Sequence, residues 1–108
     1  MKYWLNVTAT ARDDITRNAS WWAEHHSLDL ALKWYDLVYE QLDEVLQLPE
    51  SYSLSAENDV FPYELRESLV GLGRRKTYRA ILTIAGSEVR VLAVRRASQD
   101  TFTPEDLS

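Results

Sequence analysis

The spacing of apolar residues changes its period once along this chain, near residue 62, and that change sets the fold class. Ahead of it, Ala11, Ile15, Ala19 and Trp22 recur at three- and four-residue intervals, and so do Leu28, Ala31, Leu32, Tyr35, Val38, Leu42, Val45 and Leu46. Such spacing puts one apolar face on each of two helices. Beyond it the period falls to two, as in a pleated strand with distinct faces. Tyr78, Ala80, Leu82 and Ile84 alternate with Thr77, Arg79, Ile81 and Thr83. Helices grouped before strands make an α+β fold in which the helix pair covers a sheet.

Boundary signals refine the elements. Lys2 to Val7 is rich in β-formers and reads as a first strand over 2–7. Thr8 or Thr10 is suited to cap a first helix over 10–25, with Asp13 and Asp14 expected in its first turn. Ser27 caps a second helix over 28–47, which Pro49 stops. A polar loop over 49–61 leads to strands expected at 63–70, 76–84 and 88–96. Gly71-Leu72-Gly73 and Ala85-Gly86-Ser87 supply the turns between them. The order is β-α-α-β-β-β, with two antiparallel helices packed on one face of a mainly antiparallel sheet. Residues 1–108 read as a single domain. The second helix carries a further apolar line, Leu30, Trp34 and Leu37, more than one packing partner needs.

Charge is distributed unevenly. The net charge is −5, but residues 63–97 hold 8 basic and 3 acidic side chains, against 4 basic and 11 acidic in residues 1–62. A compact basic third on an acidic body suggests a local anion-binding surface. The competing reading is that its arginines pair with Glu64, Glu67, Glu88 and Asp100. There are no cysteines, which excludes disulfides and thiolate metal sites. No apolar run approaches the 18 residues of a membrane span, and no secretory h-region follows Met1, so the cytoplasm is the expected compartment.

Several segments, taken in order, resemble the RelE/ParE superfamily of toxins, in particular its ParE-like, plasmid-stabilisation type. They are Ala11-Arg12-Asp13-Asp14-Ile15 with Trp21-Trp22, then Leu42 to Pro49, then Leu65-Arg66-Glu67 with Gly71-x-Gly73-Arg74 and Tyr78-Arg79-Ala80, and finally Val91 to Ala97 with Gln99-Asp100. The resemblance spans the whole chain. It implies the toxin component of a type II toxin–antitoxin module, with growth inhibition as its effect and a cognate antitoxin protein as its partner. Two targets follow from it: DNA gyrase, inhibited by binding, or the ribosome and its mRNA, cleaved by an endoribonuclease. A third reading is an inactivated domain that only binds.

The chemistry separates the two targets. Cleaving RNA requires a proton acceptor for the 2′-OH, a donor for the leaving oxygen, and cations for the phosphate. Arg74, Arg75, Lys76, Arg79, Arg95 and Arg96 supply cations, but an arginine does not shuttle protons. His25 and His26 fall at the end of the first helix, where they suit its C-terminal dipole. Tyr78 belongs to a core face, and Tyr63 is a reserve. Nuclease-type relatives often carry His where Arg96 stands here, and the tail after it has neither His nor Tyr. With no acid/base pair assigned, gyrase inhibition is the favoured reading, and the six cations become the expected target-binding surface. No metal, cofactor or small-molecule substrate is called for. Trp21, Trp34 and Leu37 are the expected antitoxin contacts.

Overall fold

The computed structural model describes residues 2–97 and 102–107. Strand β1 (Trp4–Val7) leads into helix α1 (Ala9–His25) and helix α2 (Leu28–Glu44). Short 3-10 turns at Val45–Gln47, Pro49–Ser51 and Asn58–Val60 carry the chain to β2 (Arg66–Val70), β3 (Tyr78–Ala85) and β4 (Glu88–Arg96). A last 3-10 turn spans Pro104–Leu107. The sheet order is β1-β4-β3-β2, with β1 parallel to β4 and the other pairs antiparallel. This is the α+β architecture expected from the sequence.

Local chemistry explains the boundaries. The Thr8 hydroxyl accepts from the Ala11 amide at 3.3 Å and donates to the Val91 carbonyl at 2.7 Å, so one residue starts α1 and ties it to β4. Starting at Thr8 moves Asp13 and Asp14 out of the first turn, where the sequence reading had put them. Asp14 is instead buried against the sheet. Strand β1 ends at Val7 opposite Val91, which leaves the outer edge of β4 unpaired beyond that point. Asp14 accepts from the Val94 amide at 3.0 Å, and Asn18 donates to the Val94 carbonyl at 3.4 Å. Helix side chains thus complete a strand edge whose open groups would otherwise be costly when buried. Asp14→Ala leaves that amide without its acceptor and takes from Arg95 the nearer of its two carboxylates, and costs about 2–4 kcal/mol by denaturant titration.

Two apolar layers flank the sheet. Val7, Ala11, Ile15, Trp34, Val38 and Leu42 pack with Val70, Tyr78, Ala80, Val91 and Val94 on the helix side. A bulge shifts the β3–β4 register between Ile81 and Leu82, so Leu92 and Ala93 both join the opposite layer. There they meet Ile81, Leu65, Phe61 and Phe102. That second face is covered by the 52–65 segment and the tail. The 52–65 segment also runs along β2: Ser55 donates to the Leu65 carbonyl at 2.8 Å and Glu67 to the Ser53 carbonyl at 2.9 Å. Residues 63–65 therefore precede β2 and are not part of it, contrary to the expected start.

Helix α2 corrects another expectation. Its buried residues are Ala31, Trp34, Val38 and Leu42, followed by Val45, a three-four repeat facing the sheet. Trp34 belongs to the core, fully buried edge-on to Tyr78 at 4.9 Å. The apolar residues left outside are Leu28, Leu30, Leu32 and Tyr35. Trp34 fits because the facing turn is glycine. Gly71 has φ +124°, and a Cβ there would lie 3.4 Å from the Trp34 indole nitrogen. Gly71→Ala combines positive φ with that contact and costs about 1–3 kcal/mol, measured as a lowered denaturation midpoint.

Candidate functional site

The basic third of the sequence divides in two in space. Arg66 pairs with Glu64 at 2.9 Å and Arg90 with Glu88 at 2.7 Å. Arg79 was expected on an open strand face, and that is corrected. It lies opposite the helices, as its alternation with Tyr78 requires, yet it is 6% exposed beneath the 55–61 segment. Its guanidinium makes two hydrogen bonds to Glu57, one at 2.6 Å, and reaches Glu67 at 3.5 Å. Glu57 also accepts from the Ser55 hydroxyl at 2.7 Å and from the Phe102 amide at 3.0 Å. Burial alone would raise the Glu57 pKa; the bonds from Arg79, Ser55 and Phe102 outweigh it and hold the carboxyl at about 2. Arg95 is likewise engaged, with Asp14 at 3.2 Å and Asp106 at 3.7 Å, and it lies over the Phe102 ring at 5.5 Å. Arg66 and Arg90 thus meet the expected Glu64 and Glu88, and Arg79 reaches the expected Glu67, but the main partner of Arg79 is Glu57 and those of Arg95 are Asp14 and Asp106, acids the sequence reading did not name. Asp100, the other expected acid, lies outside the described residues.

The remaining cations gather at one end of the sheet. Arg74, Arg75 and Lys76 are exposed on the β2–β3 connection. Gln41 of α2 anchors that connection by donating to the Gly71 carbonyl at 3.1 Å and accepting from its amide at 2.8 Å. Tyr78 is in register with Arg96, and the Ala97 amide donates to the Thr77 carbonyl at 2.8 Å. Arg96 thus stands beside the start of β3, directly after the basic turn. Among the described residues, none of these four cations has a carboxylate partner within salt-bridge distance.

The C-terminal end of α1 comes to the same place, which residue spacing did not reveal. Arg96 lies over the Trp21 ring at 4.8 Å. His25 stacks on Trp21 at 4.5 Å with 17° between planes, and His26 lies 4.7 Å from the Trp22 ring. Trp21 and Trp22 meet edge-on at 5.5 Å. With Thr77, Tyr78 and Arg96 they line a cleft of about 280 Å³. The imidazoles sit at the helix end, as expected, and His25 stacks on the same Trp21 ring that Arg96 covers. Tyr78 is a core residue, and Tyr63 is exposed against Phe61.

A second feature is apolar. Leu28, Leu32 and Tyr35 of α2 face Ala19, Ser20 and Ala23 of α1 across a groove of about 250 Å³. The α1 side chains are too short to fill it. Tyr35 also borders a neighbouring cleft of about 720 Å³ lined by Arg12, Tyr39, Asp36, Glu40 and Asp43. Leu37 is half-buried. It lies on the other flank of α2, about 180° around the helix from Leu28. Among the described residues, no helix is long and apolar enough to cross a membrane, and no group of three or more Asp, Glu or His is placed to hold a metal.

No protein-family model matches the sequence, and no curated protein does. A solved chain of the chromosomal ParDE TA system from P. aeruginosa matches with a TM-score of 0.72 at 19% identity. The match covers 88% of this chain and 96% of that one. The two chains share a fold. The fold expected from the ordered segments of sequence is therefore the one observed. Once the internal ion pairs are set aside, the Arg74–Lys76 turn, Arg96 and the α1–α2 groove are the surface features that remain.

Proposed function

We propose that this chain is the toxin of a type II toxin–antitoxin pair and that it arrests growth by binding DNA gyrase. The observation that carries the reading is the fold shared with the ParDE chain, matched over nearly the full length of both chains. Binding needs complementarity and no acid/base pair, and the exposed cations Arg74, Arg75 and Lys76, with the half-buried Arg96 beside them, offer it to an anionic target. Arg79 and Arg95 support that surface from within and do not face the target. The test is a supercoiling assay with purified gyrase. The chain is expected to inhibit it, and replacing Arg74 and Arg75 with Ala is expected to weaken inhibition at least tenfold. Cleavage of mRNA on ribosomes, with supercoiling untouched, would transfer the proposal to the endoribonuclease reading.

The antitoxin is proposed to lay an amphipathic helix into the Leu28–Leu32–Tyr35 groove, the mode in which apolar anchors at helical spacing fill a cleft. The acidic neighbouring cleft favours cations at one end of that helix. Trp34 is withdrawn as a contact, since the core holds it. Trp21 and Leu37 remain proposed contacts outside the groove. Leu32 is 56% exposed, so Leu32→Asp leaves the fold intact. It is expected to weaken antitoxin binding about thirtyfold or more, as for a central anchor residue, read by calorimetric titration.

A further inference from the structure

We propose that Trp21 is a positioning residue for Arg96: its ring holds the guanidinium in place and leaves the N–H fork open to an anionic group of the target. This rests on the reading that the basic end of the sheet meets the target, and adds to it an uncharged residue of α1. The paired arginines give the contrast. Arg66, Arg79, Arg90 and Arg95 each lie within salt-bridge distance of a carboxylate. A carboxylate fixes a guanidinium but occupies its donors and offsets its charge. Arg96 is half-buried, has no such partner among the described residues, and lies over the Trp21 ring at 4.8 Å. An aromatic face attracts the cation through its quadrupole and carries no charge to cancel it, so the forked donors stay available. The ring is itself held. His25 stacks on it at 4.5 Å, and the His25 Nδ1 donates to the Trp21 carbonyl at 2.9 Å. Trp22 meets it edge-on at 5.5 Å. The two periodicities of the fold explain why Trp21 and Arg96 meet. Asn18 donates to the Val94 carbonyl at 3.4 Å and so fastens α1 to β4. Trp21 follows Asn18 on the same helix face, and Arg96 follows Val94 on the same strand face. An arginine free in solvent must be ordered when it binds. One already ordered against a ring avoids that cost.

The test compares five full-length chains: wild type, Trp21→Phe, Trp21→Leu, Arg96→Ala, and the double variant Trp21→Leu, Arg96→Ala. The first measurement is nitrogen relaxation of the Arg96 Nε–H group, which needs no target. Its order parameter is expected above about 0.6 in the wild type, well below that in Trp21→Leu, and restored in Trp21→Phe. The second is the concentration of each chain that half-inhibits gyrase supercoiling. Trp21→Leu is expected to raise it about three- to tenfold, the ordering cost of one long side chain, and Trp21→Phe to recover most of the loss. On the Arg96→Ala background, Trp21→Leu should cost nothing more, because the ring then has no guanidinium to hold. A ring that merely supports the fold gives additive losses instead, so additivity overturns the inference. An Arg96 order parameter that is the same with and without Trp21 also overturns it. If the wild type leaves supercoiling untouched, the gyrase reading fails, and the same ranking of the five chains is expected in growth arrest after induction. A wild-type chain with neither effect overturns the toxin reading and with it the target half of the inference; the relaxation data then show separately whether Trp21 holds Arg96.

Discussion

Arg79→Ala is expected to destabilise the protein by about 3–5 kcal/mol, the usual cost of removing one partner from a buried ion pair. Truncation strands the Glu57 carboxylate under the 55–61 segment, and that carboxylate also holds the Phe102 amide. The effect should reach the tail as lost protection of the Phe102 amide in hydrogen exchange. The same pair sets an acid limit. The folded carboxyl sits at about 2, below its ordinary 4.5. Its contribution is therefore complete above the unfolded value and is lost as pH falls from about 5 toward 2, on the order of 3 kcal/mol in all. Urea midpoints measured down that range should fall in the wild type, and Glu57→Gln should remove this part of the slope. An Arg79→Ala variant as stable as the wild type would show that the pair contributes nothing net.

The second large effect is expected at Trp34. It is fully buried between Tyr78 and the Gly71 turn, and Trp34→Ala should cost about 3–5 kcal/mol through lost burial and the cavity left behind. The double variant Trp34→Ala, Gly71→Ala should cost less than the sum of the two single variants, because the cavity receives the added methyl. Antitoxin binding by whatever fraction of Trp34→Ala remains folded should be unchanged. A loss of binding without a loss of stability would restore Trp34 as a contact.

The fold was legible because its signals are local. The period change near residue 62, the caps at Thr8 and Ser27 and the turn glycines each act over a few residues. Which side of α2 faces the sheet was not legible in the same way. Leu28, Leu32 and Tyr35 are as apolar as Trp34 and Val38. What decides is the partner surface, the Gly71 turn that admits an indole and the short α1 residues that leave the leucines uncovered. Arg79 shows the same limit. Alternation placed it correctly away from the helices, but nothing adjacent in sequence reports that Glu57, 22 residues earlier, folds over it. Trp21 meets both His25 and Arg96 only because α1 packs on β4, a long-range contact without a sequence motif.

The toxin proposal meets its most direct test in bacterial cells carrying this chain under an inducible promoter, with and without the reading frame beside it. Growth and viable counts are followed after induction. Induction alone should arrest growth, co-expression of the neighbouring frame should restore it, and the variant with Arg74, Arg75 and Arg96 changed to Ala should be harmless while remaining folded. Undiminished growth on induction of the folded wild-type chain, or undiminished toxicity of the triple variant, would contradict it.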